Sequence, residues 1–168
     1  MNLIPMQNLD YTKVFRNEII PKTVLKFAPS FGVKHFDLLN SGFAGVYLIS
    51  EKIVELFRSN DLVGWNSIPV QIQEFENLNY YLLTVEGRCS AIDYRRSETF
   101  LKKPYIPSGK PIEAKRGLYF DLESWDHSDV FTPENTRFTF ITEKVKNILS
   151  ANKVTNILLE RITDFEIL

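Results

Sequence analysis

The densest cluster of side chains able to do chemistry is the run DLESWDHSDVF, which sets Asp121, Glu123, Asp126, His127 and Asp129 around Trp125. Carboxylate oxygens and an imidazole can hold a divalent cation or move protons in a hydrolysis. Their spacing fits no standard metal loop. A calcium-binding EF-hand needs Gly at its sixth position and Glu at its twelfth, and counting from Asp121 those places hold Asp126 and Thr132. No metal ligand and no catalytic residue is assigned on this pattern. The plainer reading is a polar turn with an exposed aromatic. The functional one is an acidic patch for a protein partner, in which carboxylates around an aromatic anchor steer and hold a basic surface. On that reading Asp121, Glu123, Trp125, Asp126, His127 and Asp129 are the partner-binding residues.

A second set, Asp93 with Glu113-Ala114-Lys115, has the carboxylate and Glu-x-Lys composition of metal-dependent nucleases. That chemistry needs a rigid buried hairpin, whereas Glu113 falls in a Pro- and Lys-rich stretch that reads as a surface loop with ordinary ion pairing. A metal-dependent hydrolase or nuclease is the alternative to a binding protein. Nucleophilic catalysis has less support, since the chain lacks G-x-S-x-G and carries only His35 and His127 as imidazole bases. Cys89, next to Arg88, reads as part of a strand face rather than as a reactive thiol. The sequence SGFAG at residues 41–45 matches neither phosphate-binding glycine pattern and reads as a turn.

Charge narrows the partners. Twenty basic and twenty-one acidic side chains leave a formal net charge of -1, so nothing draws the whole chain to nucleic acid or to an anionic membrane. Locally the balance swings. Residues 94–117 carry seven Lys and Arg against Glu98 and Glu113, interrupted by Pro104, Pro107 and Pro111, and read as an irregular basic connection. Residues 118–136 carry five Asp and Glu and no Lys or Arg. Neutralisation of one block by the other is the simple expectation, and it sets aside a nucleic-acid role for Tyr94, Phe100 and Tyr105 among the basic residues. A single cysteine cannot form an intrachain disulfide, and no stretch has the apolar length of a signal core or a bilayer span, so the expected setting is the cytoplasm, without cofactor or membrane.

The elements that must hold these residues follow from periodicity. The apolar run VYLI at residues 46–49 predicts a strand, stopped by Ser50 as helix N-cap; Glu51 then suits the first turn, Ile53, Leu56 and Phe57 form one apolar stripe, and Asn60 ends the helix. Ile68, Val70 and Ile72 alternate with polar residues as a strand that starts late or lies at an edge because of Pro69, and a turn at 76–79 leads back along 80–86. The grammar returns at residues 138–149. Thr142, Glu143, Lys144, Val145, Ile148 and Asn152 stand where Ser50, Glu51, Lys52, Ile53, Leu56 and Asn60 stood, and residues 157–162 predict the closing strand. These patterns predict one domain, residues 1–168, of α+β class with a mixed, mainly antiparallel sheet and two similar strand-helix-strand units at about 46–73 and 137–162.

The order FDLLNSGFAGVYLISEKIVELFRSNDLVG, NYYLLTVEGRCSAIDYRRS and WDHSDVFTPENTRFTFITEKVKNIL resembles a family of bacterial polymorphic-toxin immunity proteins, immunity protein family eleven. The likeness covers roughly residues 36–165 and rests on Leu48 to Ile53, Tyr80 to Ser97 and Asp129 to Lys146, positions that are mostly structural. It implies a bacterial cytoplasmic protein that binds a cognate toxin domain and blocks it without turnover. It implies no catalytic residue, and it does not indicate the toxin-contact residues or the oligomeric state.

Overall fold

The computed structural model describes all residues except 33, 76, 105 and 107, so the turn expected to open at Glu76 and the roles weighed for Tyr105 and Pro107 lie outside the described residues. The chain starts with β1 (Asn2–Pro5), the short helix α1 (Tyr11–Phe15) and β2 (Leu25–Phe31). It continues through β3 (Leu38–Asn40), β4 (Tyr47–Ser50), α2 (Glu51–Ser59), β5 (Trp65–Ile72) and β6 (Tyr80–Val85). These six strands close into a barrel in the order β1-β2-β5-β6-β4-β3, mostly antiparallel, with β2 running parallel to β5 and β1 parallel to β3. Leu3, Val14, Phe15, Leu25, Phe27, Leu39, Leu48 and Leu82 are fully buried in its core. Ile53, Val54 and Phe57 supply the buried face of α2.

Pro69 lies within β5 rather than delaying its start. β5 is flanked by β2 only at Val70, Gln71 and Ile72, so at Pro69 the missing N–H is not demanded by a second neighbour.

Beyond the barrel come β7 (Gly87–Cys89), β8 (Glu98–Lys102), β9 (Ile112–Arg116), β10 (Val130–Pro133), β11 (Phe140–Ile141), α3 (Glu143–Ala151) and β12 (Glu166–Ile167). One small sheet runs β11-β10-β7 and another β12-β9-β8. Cys89, Ile92, Leu118, Phe120, Phe131 and Phe140 form a second apolar core between them. The whole is α+β with mainly antiparallel sheets, as periodicity predicts. Among the described residues no helix is long and apolar enough to cross a membrane.

The basic segment is not an irregular connection. β8 and β9 pair antiparallel from Glu98 opposite Arg116 to Lys102 opposite Ile112. Pro104 and Pro111 fall between the two strands, where no ladder bond is lost. The Arg116 guanidinium lies 4.6 Å from the Phe100 ring centroid and pairs with Glu166 at 2.9 Å, while Lys102 reaches Glu166 at 3.0 Å. Arg95, Arg116 and Lys102 of the basic block pair with Asp93, Glu98 and Glu166, and Arg96 meets residues 118–136 through the Tyr119 ring and the Phe120 carbonyl rather than through a carboxylate.

Both helices begin where the cap residues predicted, with different cap chemistry. The Ser50 and Thr142 hydroxyls make no bond to helix N–H groups. Each instead donates to a carboxylate, Ser50 to Asp37 and Thr142 to Asp129, both at 3.1 Å. Lys52 pairs with Asp37 at 3.2 Å and Lys144 with Asp129 at 3.6 Å. Asp37 also accepts the N–H and hydroxyl of Thr155, both at 2.9 Å, and Asp129 accepts the N–H of Val63 at 3.1 Å. Every pair keeps an offset of 92, the separation of positions 50 and 142, so each carboxylate ties the start of one helix to the segment leaving the other. The strand registers follow the same offset, Leu38 opposite Ile49 and Val130 opposite Ile141.

The likeness stops after Thr155. Residues 157–162 form no strand. Ile157 and Leu159 pack on the main core, so the alternation marks which side is covered, but a strand also requires a neighbour to hydrogen-bond.

Candidate functional site

The acidic run forms the loop between β9 and β10 and is fixed by side-chain to backbone bonds. A 3-10 turn, Leu122–Ser124, opens at Asp121, whose carboxylate accepts the Glu123 N–H at 3.1 Å. Ser90 docks this turn from the strand side: its hydroxyl accepts the Asp121 N–H at 3.0 Å, and its N–H donates to the Ser124 hydroxyl at 2.8 Å. His127 takes φ 62°, the left-handed conformation that reverses the chain towards β10.

The six candidate residues divide by what they touch. Asp121, Glu123, Asp126 and His127 are exposed. Trp125 is half-buried rather than an exposed anchor: its ring centroid lies 5.2 Å from Phe131 and 5.0 Å from His127, and its indole N–H donates to the Ser128 carbonyl at 3.2 Å. Its ring is large and apolar, and β10 carries Phe131 beneath it, so burial against the second core is the favourable placement. The Asp126 carboxylate is engaged within the loop, accepting the Arg88 N–H at 2.7 Å and the Ser128 N–H at 3.0 Å. Burial alone would raise its pKa, but the bonds from Ser128 and Arg88 hold it below the usual carboxylate value. Asp129 points away from the loop, into the bonds to Val63, Thr142 and Lys144, and its side chain is 13% exposed.

Leu122, 68% exposed between Asp121 and Glu123, belongs to the same surface and was missed by sequence reasoning. An apolar residue flanked by two carboxylates was the available signal. Arg88 was missed as the loop's foundation, since nothing local in the sequence shows that its backbone N–H donates to the Asp126 carboxylate at 2.7 Å and its carbonyl accepts the Asp126 N–H at 3.2 Å.

Among the described residues, no three His, Cys, Asp or Glu side chains stand together as metal ligands. Asp93 is held by Arg95 at 2.8 and 3.2 Å, and the Lys115 ammonium donates to the Tyr94 carbonyl at 3.3 Å. Cys89 lies buried in β7, where desolvation first, with nearby Asp126 and Glu134, pushes its thiol up to about 11. That is the opposite of an activated nucleophile.

What the loop offers is an exposed acidic and apolar tip on a fixed base. A search of curated proteins gives no match. The family model described as the immunity protein family Imm11 matches residues 12–164, from within α1 to just before β12. That span takes in α2 and α3, both clamping carboxylates and the acidic loop, and the chain belongs to the immunity protein family Imm11.

Proposed function

We propose that this protein protects its cell by binding a cognate toxin domain and blocking it through protein–protein contact, without catalysis and without a cofactor. The observation that carries this reading, beside family membership, is the tip made by Asp121, Leu122, Glu123 and His127, exposed on a loop whose base is fixed by Ser90, Ser124 and Asp126. A loop held in one conformation loses little entropy on binding, and its carboxylates raise the encounter rate with a basic face. Trp125 and Asp126 act by holding the tip, and Asp129 by anchoring β10 to α3. The setting is the bacterial cytoplasm. The chain acts as one domain, and the recurring bonds around Asp37 and Asp129 support two related units within it.

The test is binding to the toxin domain encoded beside the chain's gene. Asp121→Ala with Glu123→Ala is expected to weaken binding about tenfold at low salt, mainly through the association rate, and to leave the unfolding midpoint unchanged. Unchanged affinity in the folded double variant refutes the assignment of the site.

A further inference from the structure

We propose that the free edge of β11 receives an extended segment of the toxin as an added antiparallel strand. This rests on the toxin-binding reading above, and the chain itself supplies the template. β4 has a neighbour on each side, with Ile49 opposite Leu38 of β3 and opposite Tyr81 of β6. β11, its counterpart at the offset of 92, has Ile141 opposite Val130 of β10 and ends its sheet there.

The direction of the backbone groups follows from strand parity. Thr142 N–H donates to the Asp129 carbonyl at 2.9 Å, as Ser50 N–H donates to the Asp37 carbonyl at 2.8 Å. Groups alternate sides along a strand, so Phe140 and Thr142 turn to β10 while Thr139 and Ile141 turn outward. In the first unit the outward edge is used by β6, and the pairing runs on to a bond from Glu51 N–H to the Asn79 carbonyl at 3.2 Å. Ile49, covered by β6, is 1% exposed, whereas Ile141 is only half-buried.

The space is present. A cavity of about 1960 Å³ has Thr139 and, from β11, Ile141 among its lining residues, together with Leu159, Ile162 and Phe165. A six-residue strand is roughly 20 Å long, about 5 Å wide along the hydrogen bonds and about 10 Å deep with its side chains, or on the order of 1000 Å³. Among the described residues, the Thr139 hydroxyl oxygen is buried without a hydrogen-bond partner.

Two considerations point to the toxin as occupant. A stable complex takes about 20–30 residues from each side, far more than the acidic tip supplies. The tip and the cavity also share a neighbour, because Phe131 lines the cavity and its ring centroid lies 5.2 Å from that of Trp125. The segment it fits is extended, apolar at alternate positions and free of proline where it pairs.

Residue-resolved amide exchange of the full chain, with and without the toxin domain encoded beside its gene, tests this. The Thr139 and Ile141 amides are expected to slow at least tenfold in the complex. Thr139→Pro, which deletes an outward N–H, is expected to weaken binding at least tenfold, while Thr139→Ala, which keeps it, does not. If a complex forms and both amides exchange as in the free chain, the strand proposal is overturned and toxin binding stands; if no complex forms, both fall. Slowing that appears in the chain alone as its concentration rises assigns the edge to a second copy and overturns the toxin as occupant.

Discussion

Replacing Asp129 with Ala tests whether the paired carboxylates hold the two helices in place. The change removes the acceptor for the Thr142 hydroxyl and the Val63 N–H, each at 3.1 Å, and the partner of Lys144 at 3.6 Å. Hydrogen bonds to a charged acceptor contribute about 1.5–3 kcal/mol when shielded. Thr142 is half-buried and merits about 1.5 kcal/mol, while Val63 is exposed and its N–H can be rehydrated, leaving about 1 kcal/mol. The half-exposed Lys144 pair adds about 0.5 kcal/mol. The expected loss is about 3 kcal/mol, or a fall in Tm of roughly 6–12 °C for a chain of this length. Asp37→Ala, which breaks the matching bonds and one more to Thr155, is expected to cost at least as much. Urea unfolding followed by circular dichroism reads both, as a lower midpoint at unchanged slope. A loss below about 0.5 kcal/mol for Asp129→Ala refutes the clamp.

Other outcomes follow from the same contacts. Burial by itself would raise the Asp37 pKa, but Thr155, Lys52 and Ser50 outweigh it and hold the carboxyl low. Its stabilisation is therefore complete above the unfolded value of about 3.9 and is lost as pH falls through the lower folded value. Urea midpoints taken from pH 5 to pH 2 fall less steeply in Asp37→Ala, and an identical slope contradicts the assignment. Gly87→Ala sets a Cβ against the Val130 carbonyl oxygen and the Ser128 side chain, where β7 meets β10, and is expected to cost about 2–4 kcal/mol in thermal unfolding. A neutral outcome would mean that this contact gives way easily. With its thiol at about 11 and 2% exposed, Cys89 should react with iodoacetamide at pH 8 at least a hundredfold more slowly folded than in urea, and equal rates would show that the strand opens readily.

Much of the fold was legible locally. Glu51 to Ser59 and Glu143 to Ala151 are helices because an apolar stripe, a first-turn carboxylate and a stopping Asn act within a few residues of each other. The class, the position of both helix starts and the burial of Cys89 in a strand follow from patterns of that range. The β8 and β9 hairpin was hidden because prolines and charges dominate its sequence, whereas what forms it is pairing across the turn, with Arg116 set over Phe100 and against Glu166. Residues 157–162 mislead in the other direction, since alternation records burial and says nothing of a partner strand.

For the site, the sequence by itself determined the chemical character of the loop. A dense acidic run around a tryptophan, without metal-loop spacing, already excluded the EF-hand and favoured a polar turn or a binding surface over a metal or catalytic site. Only tertiary structure decided which of those residues face outward. Asp121, Glu123 and His127 are exposed, Asp126 is exposed too but bound to the Arg88 and Ser128 backbone, Trp125 lies on Phe131, and Asp129 reaches back to Val63. The reason is physical: a carboxylate takes whichever donors the fold brings near it, and those of Asp129 come from 66 residues away in the chain.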